Sequence, residues 1–176
     1  MEDAIFNTLN DLLGKVELDN VSSEATGDYP ELPDGYYLCE VESAELKESK
    51  SSGNPMASFR LSVVEDGVDV IFEEDNIKYI KLEKTKGRKI FKHFVLKDDV
   101  AIKRFVSDML KFEDNDGNSF LPKDAFLSAD LLEEAIQSLI GMRIYVQSTT
   151  TTKDDKSSTW TNFISWTRAA KLELPM

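Results

Sequence analysis

Apolar and polar positions change their period as the chain proceeds. Over residues 2–14, Ile5, Leu9, Leu12 and Leu13 stand at i, i+4, i+7 and i+8. That spacing is one stripe of an amphipathic helix, and Gly14 is placed to end it. Residues 15–34 are acidic, carry Pro30 and Pro33, and read as a linker or mobile arm. From Gly35 the period falls to two. In GYYLCEVESAEL, Tyr37, Cys39 and Val41 share one face, with Glu40 and Glu42 on the other. A polar loop, KESKSSGNP, leads into MASFRLSVVED, where Phe59, Leu61 and Val63 alternate with Ser58, Arg60 and Ser62. This is the signature of a half-buried strand. VDVIFEE and IKYIKLEK read as shorter, less regular pieces, and GRKIFKHFVLK as a third clear strand.

Residues 98–112 return to helical spacing. Asp98 or Asp99 is the cap, and Val100, Phe105, Met109 and Phe112 form the stripe. After the polar turn EDNDGN a second helix follows, with Ser128 as its cap, Leu131, Leu132, Ala135, Ile136 and Leu139 inward, and Gly141 behind it. Two strands end the chain. MRIYVQSTTT turns Arg143 and Tyr145 away from the apolar face, and TWTNFISWTR sets Trp160, Ile164 and Trp166 on one side. The linker KDDKSS joins them without a tight two-residue turn signal. Three strands, a helical insertion and a closing hairpin match the order of a mainly β, five-stranded OB-type barrel over residues 35–176, preceded by an N-terminal helix and arm over 1–34. Another small barrel or an α+β sandwich is the alternative.

Charge sharpens this picture. The formal charge of −12 argues against a polyanionic ligand, but its distribution is uneven. Residues 1–34 hold nine acids and one base, a net −8, whereas residues 76–97 hold eight bases and one acid, a net +7. Local potential governs binding of a polyanion, because screening sets in over about 8 Å at physiological salt. A single cysteine, Cys39, and a single histidine, His93, exclude an internal disulfide and leave little for a metal site or a Ser-His triad. They fit a reducing, cytoplasmic setting. No apolar run approaches a membrane span, and the acidic N-terminus is unlike a signal peptide.

Phosphate-loop, G-x-S-x-G, HExxH and CxxC patterns are missing, and EDNDGN is out of register for a calcium loop. The reading is a binding protein without chemistry, cofactor or metal. Single-stranded nucleic acid is held by cations that track phosphates and by aromatic faces on which bases stack. Lys84, Lys86, Arg88, Lys89 and Lys92 are the expected phosphate contacts. Lys50, Arg60 and Arg143 are expected to line the groove, and Phe91, Tyr145 and Trp160 to stack on bases. Phe91 and Phe94 have opposite parity, so one of them is core. The tryptophans also suit a core, and the lysine run also suits a solvated edge that resists strand pairing.

The run GYYLCEVESAELKESKSSGNPMASFRLSVVEDG, continued by GRKIFKHFVL and by Asn162 in the last strand, resembles bacteriophage-encoded single-stranded DNA-binding proteins. The resemblance spans roughly residues 35–166. It implies an OB fold, sequence-tolerant binding of single-stranded DNA, and a role in phage replication, recombination or repair in the host cytoplasm. Replication or recombination proteins are then candidate partners. Many such proteins end in an acidic tail, whereas this chain ends KLELPM, and the acidic arm at 1–34 is the candidate substitute or a shield for the groove. The rival from another class is an acidic, DNA-mimic-like module that binds or inhibits a protein.

Overall fold

A computed structural model describes residues 2–14 and 32–175 of the chain. The chain divides into two compact units, Met1–Leu32 and Pro33–Met176. In the first, α1 (Glu2–Leu13) forms where the helical period predicts it, and the Gly14 amide donates to the Asn10 carbonyl at 3.0 Å. Phe6, Leu9, Leu12 and Leu13 are all exposed. The arm expected from residue 15 lies outside the described residues up to position 31.

The second unit is mainly β. Its strands are β1 (Gly35–Glu48), β2 (Pro55–Val63), β3 (Gly67–Glu73), β4 (Asn76–Leu82), β5 (Lys89–Val95), β6 (Arg143–Lys153) and β7 (Lys156–Ile164). Between β5 and β6 lie α2 (Asp99–Met109), a 3₁₀ turn (Lys123–Phe126) and α3 (Ala129–Ser138), and α4 (Trp166–Lys171) follows β7. The strands form one antiparallel sheet in the order β4-β3-β1-β2-β5, with β6 paired to β1 and β7 to β6.

Seven strands in an open sheet, with β5 and β7 unpaired to each other, therefore stand where a five-stranded barrel was expected. VDVIFEE and NIKYIKL form a regular hairpin, β3–β4, in register from Gly67↔Leu82 to Glu73↔Asn76. It joins β1 through one pair, Tyr36↔Val68. Gly67 makes that junction possible, because a Cβ there would lie 2.4 Å from the Tyr37 ring.

The long strand β1 is shared between two partners. Residues 35–40 pair with β6 and residues 39–48 with β2. A bulge between Val41 and Ser43 inserts Glu42, so the inward parity changes from odd to even across it. Tyr37, Cys39 and Val41 before the bulge and Ala44 after it are all buried.

The core is aromatic. Phe59 meets Phe94 edge-on at 5.8 Å, Phe94 meets Phe105 of α2 at 5.2 Å, and Phe112 meets Phe163 at 5.3 Å. Asp98 caps α2 by accepting from the Ala101 amide at 2.8 Å, and Ser128 caps α3. Phe105 and Met109 of α2 are buried, but Val100 is exposed. At about 100° per residue, five residues carry Val100 well away from the Phe105 direction. Leu131 is exposed for a related reason. Leu132, Ala135, Ile136 and Leu139 already complete the i, i+3, i+4, i+7 stripe, and Leu131 lies on its flank.

The last hairpin differs from expectation at both ends. Its turn is tight: only Asp154 and Asp155 separate β6 from β7, with φ of 53° and 64°. Asp tolerates the left-handed region that a two-residue hairpin turn of this hand demands. At the other end, Ser165 caps α4 by accepting from the Arg168 amide, so Trp166 belongs to a helix and not to the strand.

Candidate nucleic-acid interface

Among the described residues, β5 and β7 share no ladder and the sheet is open between them, but side chains bridge the gap. The Lys92 ammonium donates to the Thr161 carbonyl, and the Phe94 and Phe163 rings lie 6.0 Å apart. The two contacts advance in step, as for neighbours running in the same direction. Lys92, Phe94, Thr161 and Phe163 have the inward parity. The outward side chains on this part of the surface are therefore Phe91 and His93 on β5, and Trp160 and Asn162 on β7.

Cross-strand register builds the rest of the face. Arg60 pairs with Phe91, Ser62 with Lys89, and Ser58 with His93. Phe91 and Trp160 are each 61% exposed. Phe91 is thus the outward member of the two β5 phenylalanines, and Phe94 is the core one. Ser58 Oγ lies 2.6 Å from His93 Nδ1, which fixes the imidazole against β2. The Trp160 indole N–H donates to Thr151 Oγ1 at 3.2 Å, orienting its ring across the hairpin.

The cations on this face are already engaged. Glu42, standing on the bulge, takes Arg60 at 3.0 Å and also Lys89. The hydrogen bond from Lys89 holds the Glu42 carboxyl below its usual range, with Arg60 adding to the effect. Arg143 pairs with Glu40 at 3.4 Å on the next strand. All three pairs are solvent-exposed, and such pairs hold weakly against a competing anion.

The basic loop between β4 and β5 is organised by one carboxylate. Asp66 accepts from the Thr85 and Lys86 amides at 3.1 and 3.0 Å and pairs with Lys81 at 3.7 Å. The Lys86 amide bond is the main reason its pKa is lowered. Thr85 is buried, bonding Gly67 N–H and the Leu82 carbonyl. The loop thereby presents Lys84 and Lys86 to solvent, and no ion pair among the described residues engages either. Arg88, half-buried, leads into β5. Lys50 is exposed in the β1–β2 loop, and Lys153 and Lys156 flank the Asp154–Asp155 turn.

Two expected contacts are corrected. Lys92 is not an outward phosphate contact. It has the inward parity of β5, and its ammonium lies over the Phe94 and Phe163 rings at 5.0 and 5.8 Å. Burial lowers its pKa. Tyr145 is not a stacking face either. It does point away from the main core, but α4 and the tail after it cover it. Tyr145 packs with Ala169, Leu172 and Leu174, meets Trp166 edge-on at 6.0 Å, and donates to the Pro175 carbonyl. Burial pushes its hydroxyl up to about 12.

The structure thus gathers Arg60, Lys89 and Phe91 on adjacent strands, with Trp160 on the strand beyond. It sets Lys50, Lys84 and Lys86 on loops and places Arg143 outside the β2–β5 pair, on β6. Glu42 was missed as a partner of these cations, because its role depends on a bulge that strand alternation does not encode. The described residues hold no cluster of three or more His, Cys, Asp or Glu arranged for a metal ion, and no described helix is long and apolar enough to cross a membrane.

No curated protein matches this chain. Residues 18–113, more than half of it, match the family described as "Protein of unknown function (DUF669)", and the chain belongs to that family.

Proposed function

We propose that the protein binds single-stranded DNA with little sequence preference, as a non-enzymatic, OB-type module that protects transiently exposed strands in phage replication, recombination or repair. Support for the OB element order comes from the pairings β1–β2, β2–β5, β1–β6 and β6–β7, with the helical segment between β5 and β6 and with β3–β4 as an added hairpin. A closed OB barrel would also join β5 to β7, and here only side chains such as Lys92 span that gap.

The observation that carries the reading is the Arg60↔Phe91 register. It stands an exposed aromatic beside a guanidinium on the outward surface of β2 and β5, with Trp160 equally exposed on β7. Bases stack on Phe91 and Trp160, each contributing about 1–3 kcal/mol. Phosphates displace Glu42 from Arg60 and Lys89 and meet Lys84 and Lys86 at one end of the strip. Seven residues of β5 extend for about 20 Å, which suits a site of a few nucleotides.

A second reading, a protein-binding module, is favoured by one feature. An apolar groove of about 440 Å³ on the helical insertion is lined by Leu121, Leu127, Leu131 and Ala135 and rimmed by Asp124 and Glu134.

Fluorescence anisotropy with labelled oligo-dT of ~30 nucleotides, against duplex competitor at two salt concentrations, tests the proposal. Tight, salt-sensitive, single-strand-selective binding is expected. Absence of binding at low salt would sink it and direct attention to the apolar groove on the helical insertion.

A further inference from the structure

The aromatic strip has cations at the end where β5 and β7 begin, namely Lys84 and Lys86 on one loop and Lys153 and Lys156 beside the hairpin turn. At the opposite end, β5 runs into α2, and the outward residue of β7 there is Asn162. A cleft of about 410 Å³ opens at that point, lined by Lys103, Arg104, Ser107 and Asp108 of α2 and by Asn162. Lys103, Arg104, Ser107 and Asn162 are exposed, and no ion pair among the described residues engages Lys103 or Arg104. The one acid in the lining, Asp108, is taken by Lys111 at 2.7 Å. The cleft therefore combines two unopposed cations with a hydroxyl and an amide, a donor set suited to phosphate oxygens.

We infer that this cleft between α2 and the end of β7 is a second phosphate-binding site, through which a single strand leaves the aromatic strip. The inference rests on the single-stranded DNA reading and extends it to residues outside the basic segment 76–97. Trp160 and Asn162 are two residues apart on one face of an extended strand, a separation of about 7 Å. A base stacked on Trp160 thus has its neighbouring backbone within reach of Asn162 and the α2 cations. Helical periodicity marks α2 as a core element through Phe105 and Met109, and says nothing of what its solvent face meets.

The test is the double substitution Lys103→Glu/Arg104→Glu, assayed with the same oligo-dT across a salt series. Both side chains are exposed, so thermal unfolding should match the wild type. Each cation withdrawn from a phosphate lowers the salt slope of single-strand binding by about 0.7, so the slope should fall by roughly 1.4 and low-salt affinity by about tenfold or more. Lys103→Arg/Arg104→Lys should bind as the wild type does. If the wild type binds and the charge-reversed variant keeps both affinity and slope, the cleft site is refuted and the strip reading stands. If the wild type itself does not bind, both fall together.

Discussion

One sheet carries two outward surfaces with opposite fates. On β2 and β5, Arg60, Lys89 and Phe91 stand in solvent. On β1, β3 and β6, Tyr145 is buried beneath α4 and the residues after it, and Tyr36, Leu38, Val68 and Val70 pack half-buried against the same cluster. In sequence the two surfaces look alike, each a strand with aromatic or cationic residues opposite the core. What separates them is a six-residue helix at the end of the chain. An outward aromatic on a strand is a binding candidate only where nothing later in the chain folds over it.

The largest way to break this contrast is to loosen the cover. Leu172→Ala should cost about 2–3 kcal/mol of stability, read by denaturant unfolding, because it leaves a void under α4. Phe91→Ala, on the bare face, should stay within about 0.5 kcal/mol.

Alkali should act next, through the groups buried in the core and under α4. Burial raises Cys39, Tyr37 and Tyr145 to about 12, from ordinary values of 9.0 for the thiol and 10.0 for the phenols. Groups held protonated in the fold stabilise it fully below their unfolded pKa. That contribution is lost as pH rises through the folded value. Stability should therefore fall from about pH 9 towards 12, and Cys39→Ala should delay the onset to about pH 10. Lys92, lowered by burial, acts in the opposite sense below its unfolded value. Thermal melts across this range read the effect.

The smallest change should come from Glu42→Gln. Releasing Arg60 and Lys89 should strengthen oligo-dT binding a few-fold in anisotropy titrations and leave the melting temperature nearly unchanged. Weaker binding would mean that Glu42 positions those cations rather than competing for them.

Strand alternation made most of this architecture legible. Tyr37, Cys39 and Val41, and Phe59, Leu61 and Val63, face inward as their spacing dictates, and Asp98 and Ser128 cap the helices that follow them. Alternation assigns a side but not a neighbour. It could not say that Lys92 would reach β7 across a gap, that Glu42 would stand on a bulge, or that α4 would cover Tyr145. Each of those depends on residues distant in the chain or on a register shift, which no local period records. The Asp154–Asp155 turn was missed because tight hairpins usually announce themselves with glycine.

The most direct test of the claim that the β2–β5 surface is the binding face compares Phe91→Ala with Tyr145→Phe in oligo-dT affinity and stability together. If that surface is the binding face, Phe91→Ala loses about 1–3 kcal/mol of binding with stability intact. Tyr145→Phe should lose about 1 kcal/mol of stability, from its bond to the Pro175 carbonyl, with binding intact. Weakened DNA binding in Tyr145→Phe alongside undiminished binding in Phe91→Ala would contradict it.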